Sequence, residues 1–305
     1  MNRKNIFGHM IALLTILIWG TTYISTKIIL RDLSPVEILF YRFMIGYGIL
    51  WLAYPRFQRP SNAKDEWLFF GLGCTGITFY FLLENIALQY TQASNVGLLI
   101  SAAPILTALI ARTLKREEKI NRDLVVGFCI AIIGVFLVVF NGKLVLKINP
   151  LGDLLALLAA LIWAAYSVLL KSVDSRHEPI LVVRRTFFYG LLTIFPCLLL
   201  FKADLRSVHA VSIPLVLNIL FLGVAASALC FVLWNKAARI IGIVKTSNYI
   251  YLVPFITMVT SVIFLRETIN ALMVIGGVLI VFGVHISENG LSMPSYWPMI
   301  KFRKD

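Results

Sequence analysis

The sequence predicts an all-α integral membrane protein with ten transmembrane helices, built as two inverted repeats of five helices. Three observations support this prediction: the composition, the spacing of the apolar segments and an internal duplication. Of the 305 residues, 59% are hydrophobic and only 14% are charged, whereas soluble domains have about 25% charged residues. Apolar segments follow one another from residue 9 to about residue 287, so membrane helices account for most of the chain.

The helix positions follow from the apolar segments, because a transmembrane helix needs about 20 mainly apolar residues. We expect helices at residues 9–30, 36–54, 67–88, 95–113, 124–140, 153–172, 180–201, 214–237, 245–264 and 270–287. Pro35 and Pro179 suit the first turns of the second and seventh helices. Asn141-Gly142 ends the fifth helix.

The second half of the chain repeats residues of the first half at nearly fixed offsets. Residues matched at an offset of 144 include Gly8 with Gly152, Trp19 with Trp163, Lys27 with Lys171 and Pro35 with Pro179. Farther along, the offset is 150, as for Asn85 with Asn235, Pro104 with Pro254 and Glu117 with Glu267. We assign the first repeat to residues 1–145, the second to residues 146–290 and a cytoplasmic tail to residues 291–305. A duplicated apolar unit is typical of transporters whose site lies between the two copies.

Lysine and arginine are distributed unevenly between the two sides of the membrane. If the N-terminus is cytoplasmic, the inside segments hold 20 of these residues and the outside segments hold 7. The positive-inside rule therefore predicts a multi-pass protein of the cell membrane with both termini in the cytoplasm. Because each repeat has an odd number of helices, the second copy is inverted.

The net charge of +13 would suggest nucleic acid in a soluble protein, but here it fits short cationic loops facing anionic lipid. The four cysteines lie singly in apolar segments, and the sequence has no metal-ligand or disulfide pattern. It also lacks the HExxH, GxSxG and Walker A motifs. We therefore expect no enzyme activity and no cofactor. The expected partners are a small-molecule substrate and membrane lipid, without nucleic acid, in a monomer or homodimer.

Short motifs recur at matching places in the two repeats. The first repeat has Ile18-Trp19-Gly20, Tyr41-Arg42, Asn85-x-Ala87-Leu88, Pro104 and Arg116-Glu117; the second has Ile162-Trp163-Ala164, Asn235-x-Ala237, Pro254 and Arg266-Glu267. Over residues 8–287 this pattern resembles the EamA family of the drug/metabolite transporter superfamily. The resemblance implies a basket-like bundle with a central cavity lined mainly by helices 1, 3, 4, 6, 8 and 9. It also implies export of amino acids, related metabolites or drugs.

Glu84 is the acidic residue of greatest interest, because it is the only one of fifteen that lies well within a predicted span. A carboxyl group facing lipid would be costly, so Glu84 should face the bundle interior or water. We expect it to exchange a proton or to bind a substrate amine. The alternative is a structural carboxylate satisfied by neighbouring backbone or by Arg42.

Other aromatic and polar side chains within the spans are candidates for the substrate site. Trp19 and Thr22 share one face of helix 1, and Tyr80 precedes Glu84 by four residues and shares its face. The predicted substrate-binding residues are Trp19, Thr22, Tyr23, Tyr80, Glu84, Trp163, Tyr166, Ser167, Trp234, Asn248 and Tyr251. The alternative is that the aromatic rings pack in the core and the hydroxyls bond back to their own helices.

Two prolines and several polar residues suggest mechanical roles. Pro104 and Pro254 lie inside the fourth and ninth spans and are predicted hinges for gating, with static kinks as the alternative. Structural roles are predicted for Arg42, Asn85, Asn235, Glu117 and Glu267. We expect the asparagines to cap the helices that follow them, with a place in the cavity lining as the alternative. We expect the two glutamates to form salt bridges at helix ends, and Arg42 to snorkel or to pair with Glu37 or Glu84.

Together these features predict a secondary transporter that exports small organic metabolites by alternating access. Proton antiport follows if Glu84 exchanges a proton, and an uncoupled facilitator follows if it does not. A sugar-phosphate or nucleotide-sugar carrier would need several cations in the cavity, and only Arg42, Lys27 and Lys171 are available. A membrane enzyme or sensor would need a catalytic constellation or an appended domain, and the sequence has neither.

Overall fold

The computed structural model describes residues 3–56, 62–115, 122–140, 150–173, 177–204 and 212–289. Within these ranges the regular structure is helical, and it forms ten successive helices. The first repeat contains α1 (Arg3–Ile29), α2 (Pro35–Ala53), α3 (Ala63–Tyr90), α4 (93–115) and α5 (Arg122–Phe140). The second repeat contains α6 (Pro150–Lys171), α7 (Pro179–Leu200), α8 (Ile213–Ile241), α9 (243–265) and α10 (Ala271–Asn289). The predicted ten-helix membrane fold is confirmed.

Six of the helices, α1, α2, α3, α6, α7 and α8, are long and apolar enough to cross a membrane by length and composition alone. The other four contain shorter apolar helices. Pro35 and Pro179 stand at the starts of α2 and α7, as expected for a residue that has no N–H to leave unpaired. Glu37 strengthens the start of α2, because its Oε2 accepts a hydrogen bond of 2.8 Å from the Ser34 backbone N–H.

The third helix of each repeat changes its winding in the middle. In α3 the residues Cys74–Phe79 form a π-helical segment, and in α8 the residues Phe221–Leu229 do the same. The two segments overlap when the offset of 150 is applied, so the internal symmetry extends to irregular backbone. Segments of π-helix occur often at functional sites, because they redirect side chains along a helix.

The fourth helix of each repeat is interrupted rather than continuous. In α4 an α-helix over Ala93–Ile100 ends before a second one begins at Ala103, and in α9 a 3₁₀ segment over Asn248–Leu252 precedes the main helix. Pro104 and Pro254 each occupy the second position of the helix that follows the interruption. Both prolines therefore lie at breaks between helical segments, and their role as hinges stays a prediction.

The two repeats are interlocked across the centre of the bundle. α1 packs against α8 and α9, and α6 packs correspondingly against α3 and α4. α2 packs against α7, and α5 packs against α10. The third and fourth helices of each repeat thus pack against the first helix of the other repeat. The centre of the bundle lies between these equivalent helices.

Glycines let two pairs of helices approach closely at equivalent positions. A Cβ on Gly73 of α3 would lie 2.7 Å from the Gly190 backbone nitrogen of α7. In the equivalent crossing of α2 and α8, a Cβ on Gly46 would lie 3.1 Å from the Gly223 carbonyl oxygen. Small residues at such crossings allow close backbone packing, which drives helix association within lipid.

Candidate functional site

A small cavity lies between the two repeats. It is lined by Trp19, Thr22, Tyr23, Arg42, Tyr80, Phe81, Glu84, Ile100, Trp163, Ile250 and Val253. These residues come from α1, α2, α3, α4, α6 and α9. Arg42 is the contribution of α2, and none of the lining residues belongs to α8. Five of the six helices that the resemblance implied therefore line this cavity, and α8 does not.

The cavity has a volume of about 30 Å³, which is room for one or two water molecules. Sites that hold small organic ligands have volumes of about 300–1,000 Å³. The cavity is therefore too small for a metabolite in the described conformation, and a metabolite fits only when the surrounding helices move apart.

One wall of the cavity consists of tryptophan rings held at fixed angles. Trp19 and Trp163 meet edge to face, with ring centroids 5.5 Å apart and planes at 90°. The Trp19 indole donates a hydrogen bond of 2.8 Å to the Ala226 carbonyl, which belongs to the π segment of α8. The Trp163 indole N–H is buried and has no hydrogen-bond partner. This N–H is a donor available to a molecule in the cavity.

A fully buried arginine forms a second feature of the site. The Arg42 Nε donates a hydrogen bond of 2.7 Å to Ser227 Oγ, and the guanidinium lies 4.1 Å from the centroid of the Phe81 ring. These contacts fix the plane of the guanidinium through a hydrogen bond and a cation–π interaction. Its Nη1 has no hydrogen-bond partner. Arg42 therefore presents one unsatisfied cationic donor group in the cavity.

A fully buried glutamate supplies the opposite charge. Glu84 interacts with the Tyr80 side chain, which also interacts with the Tyr23 side chain. The Glu84 Oε1 atom has no hydrogen-bond partner. Among the described residues, the ion pairs within 4.0 Å include none between Glu84 and Arg42. The cavity thus contains an acidic and a basic group, each with an unpaired atom.

The structure places the predicted substrate residues in two groups. Trp19, Thr22, Tyr23, Tyr80, Glu84 and Trp163 line the cavity. Tyr166, Ser167, Trp234 and Tyr251 are buried and lie outside its lining, so their role in substrate binding stays a prediction. The side chain of Asn248 lies outside the described part of the chain. Arg42 was expected to be structural; its sequence signals were a basic residue inside a predicted span and the Tyr41-Arg42 motif.

Three of the buried residues outside the lining, Tyr166, Ser167 and Trp234, support the aromatic wall from behind. Tyr166 packs against Trp163 with ring centroids 4.9 Å apart and interacts with the Asn235 side chain. The Ser167 hydroxyl donates to the Trp163 carbonyl at 3.0 Å. Trp234 packs against Trp19 with centroids 5.0 Å apart. These contacts hold the two tryptophans of the cavity in place.

The two asparagines do not cap the helices that follow them, so that expectation is wrong. The Asn85 amide donates a hydrogen bond of 3.1 Å to the Pro35 carbonyl and so joins α3 to the first turn of α2. Its Oδ1 atom has no partner. The Asn235 amide donates at 2.8 Å to the Phe231 carbonyl of its own helix.

One end of the bundle is held together by Glu267, in the link between α9 and α10. Its Oε1 accepts a hydrogen bond of 2.9 Å from the Ala93 N–H, and its Oε2 accepts bonds of 3.1 Å and 2.8 Å from the Ser94 N–H and Oγ. The Lys27 ammonium lies 3.6 Å from Oε1. The carboxylate caps α4, where the helix dipole favours an anion, and joins it to α1 and α9. We call Lys27, Ala93, Ser94 and Glu267 the Glu267 cluster. The repeat partner Glu117 lies outside the described residues.

The opposite end of the bundle contains a larger recess. It lies between α6, α7, α8 and α9 and has a volume of about 270 Å³. Its lining residues are Leu170, Lys171, Val173, Val182, Asn235, Ala238, Arg239, Gly242 and Ile243. The two ends of the bundle therefore differ, since one is joined by the Glu267 cluster and the other holds a recess.

Comparison with known proteins identifies similar chains. Residues 6–140 and 150–287 each match the model of the EamA-like transporter family. An uncharacterized transporter of Archaeoglobus fulgidus is 28% identical over 293 residues, which cover 94% of this chain and 98% of that protein. A probable amino-acid metabolite efflux pump of Salmonella typhimurium is 25% identical over 302 residues, which cover 95% of this chain and 96% of that protein. A crystal structure with a TM-score of 0.65 and 20% identity covers 92% of this chain and 97% of its own, and shows a shared fold.

Proposed function

Because this chain belongs to the EamA-like transporter family, we propose that it exports a small amphipathic metabolite across the cell membrane in exchange for protons. Membership makes the chain a multi-pass membrane transporter rather than an enzyme. The proposed solutes are amino acids with apolar side chains and related metabolites. The observation that carries the proposal is the cavity between the repeats, which combines aromatic walls with the buried Glu84 carboxyl group.

The proposed mechanism is alternating access between the two repeats. Two inverted copies of one unit can exchange conformations, and the cavity then faces one side of the membrane or the other. The equivalent interruptions in α3, α8, α4 and α9 are the places where the helices would change direction. In this mechanism both termini are cytoplasmic, and the Glu267 cluster closes the outer end.

The choice of solute rests on the walls of the cavity and on the relatives. Trp19, Tyr80 and Trp163 offer ring surfaces suited to an apolar or aromatic side chain, while few polar groups face the space. Relatives from Salmonella typhimurium and Escherichia coli are named as probable amino-acid metabolite efflux pumps. Both observations favour a solute that is apolar at one end and polar at the other.

Glu84 is the proposed coupling site. It is the one carboxyl group among the described residues that line the cavity, and it faces the Arg42 guanidinium and the hydroxyls of Tyr23 and Tyr80. A single carboxylate cannot bind a proton and a substrate amine at the same time. Protonation from outside therefore releases the solute, and deprotonation inside prepares the site for the next molecule.

A test uses purified protein in liposomes that contain a pH-sensitive dye. Pools of metabolites are added outside, with amino acids first, and we expect one pool to evoke proton flux. Counterflow of a labelled solute without proton flux would contradict the coupling and identify an uncoupled facilitator. Absence of both proton flux and counterflow with every pool would contradict the proposed transport.

A further inference from the structure

We propose that Arg42 and Glu84 are the two poles of one recognition site for a zwitterion, in which Arg42 binds a carboxylate and Glu84 binds an ammonium group. This inference rests on the proposed function and deepens it, because it assigns the two charged groups of the solute to named residues. The solute that fits is a small molecule that carries both charges close together, with an apolar or aromatic remainder.

The first support is that each pole has an unused atom. Arg42 and Glu84 are each 1% exposed, and Arg42 Nη1 and Glu84 Oε1 have no hydrogen-bond partner. Leaving a buried charge incompletely paired is costly, and the most direct remedy would be a salt bridge between these two residues. Yet no such contact lies within 4.0 Å among the described ion pairs. A zwitterion between them would satisfy both atoms at once.

The second support is that both charged groups are held in place by other side chains. Ser227 and Phe81 fix the Arg42 guanidinium, and the Glu84 carboxyl group interacts with the Tyr80 side chain. A guanidinium held in one plane is suited to a carboxylate, which it binds through parallel N–H donors. The fixed positions mean that little ordering of these side chains is needed when a solute binds.

The third support comes from the remaining walls of the cavity. The Trp163 indole N–H is a further unpartnered donor, suited to the same carboxylate or to a polar atom beside it. The rings of Trp19 and Tyr23 lie on the same cavity, where they can pack on an apolar group or face an ammonium ion. The lining thus offers a partner for each part of an amino acid.

The inference predicts rejection of molecules that carry only one of the two charges. Such a molecule leaves either Arg42 or Glu84 buried without a counterpart, which should weaken binding by about tenfold or more. The probes are phenylalanine, phenethylamine, which lacks the carboxylate, and 3-phenylpropionate, which lacks the amine. Their binding to the purified full-length protein is measured by tryptophan fluorescence and calorimetry.

The variants Arg42→Gln and Glu84→Gln assign each charge to its pole. We expect Arg42→Gln to bind phenylalanine and phenethylamine equally while still rejecting 3-phenylpropionate. Glu84→Gln should show the opposite pattern, with phenylalanine and 3-phenylpropionate bound equally. The matched controls Arg31→Gln and Glu178→Gln remove exposed charges outside the cavity and should leave all three affinities unchanged.

Several results would overturn the inference. One is that the wild-type protein binds all three probes with equal affinity, and another is that each variant weakens the binding of all three equally. The third is that the protein binds neither the phenyl probes nor a second series made of leucine and its two single-charge analogues. If a variant does not fold, the wild-type ligand series decides alone. Proton-coupled transport of singly charged solutes would contradict the zwitterion site but not the proposed function. If the two variants show the opposite ligand preferences expected of them but no flux is seen, the proposed function is contradicted and the zwitterion site is not.

Discussion

The substitution Glu267→Gln should open the end of the bundle that the Glu267 cluster holds together. The glutamine oxygen can still accept the hydrogen bond of 2.9 Å from Ala93, but its NH₂ group cannot accept the two from Ser94. The attraction of Lys27 at 3.6 Å is lost as well. Hydrogen bonds to a charged group contribute about 1.5–3 kcal/mol each, and hydrogen bonds from water to the freed Ser94 groups recover part of this energy. A net loss of about 2 kcal/mol corresponds to a shift of roughly 30-fold towards the open state.

The assay measures access to the cavity from outside. Thr22→Cys places a thiol in the cavity lining of a protein in which the native cysteines, Cys74, Cys129, Cys197 and Cys230, are replaced. A membrane-impermeant thiol reagent is added outside, and the labelling rate is compared with and without Glu267→Gln. We expect labelling to be faster by roughly 30-fold, and at least tenfold, with the substitution.

A matched control is Glu178→Gln, which removes an exposed carboxylate at the opposite end of the bundle and should leave the labelling rate unchanged. Equal rates with and without Glu267→Gln would refute the assignment of a closing role to the cluster. Faster labelling from the inside alone would refute the assignment of this end to the outer surface.

Two further predictions concern packing and the orientation of Arg42. Gly73→Ala places a Cβ 2.7 Å from the Gly190 nitrogen and should cost about 1–3 kcal/mol of stability, seen as a lower melting temperature. Gly48→Ala meets nothing within 4 Å and should not lower it. Ser227→Ala removes the hydrogen bond that orients Arg42 and should weaken phenylalanine binding by about tenfold, without affecting phenethylamine. An equal effect on both ligands would contradict the role given to this bond.

The fold could be predicted from the sequence because lipid leaves a long apolar chain few options. Each backbone polar group must be satisfied within the membrane, so successive apolar segments become helices. The duplication then fixes their number and relative orientation. The π segments of α3 and α8 could not be predicted in this way, because the sequence there is as apolar as in a regular helix and the winding depends on the neighbouring helices.

The site was predictable where helical spacing alone decides which side chains share a face. Trp19 and Thr22, three residues apart, and Tyr80 and Glu84, four residues apart, all line the cavity. Trp234 could not be placed by spacing, because a tryptophan in its apolar helix can be buried against any neighbouring helix. For such a helix only the packing shows which face meets the cavity.

Arg42 shows how a signal in the sequence can leave two roles open. A basic residue within a span fits a structural anchor as well as a binding group. What separates the two is the position of partners on distant parts of the chain: Ser227 lies 185 residues away and Phe81 lies on another helix. Those partners fix one face of the guanidinium and leave Nη1 unpaired in the cavity.

The central claim, that Glu84 couples solute export to proton movement, is tested most directly by comparing two fluxes in wild-type protein and Glu84→Gln. One is solute-evoked proton flux and the other is counterflow of the same labelled solute, both measured in liposomes at several pH values. The solute is the strongest wild-type responder that the variant still exchanges. We expect Glu84→Gln to lose proton flux and to retain counterflow, and the rate of counterflow should no longer vary with pH. A variant with wild-type proton flux and an unchanged pH profile would remove Glu84 from the mechanism.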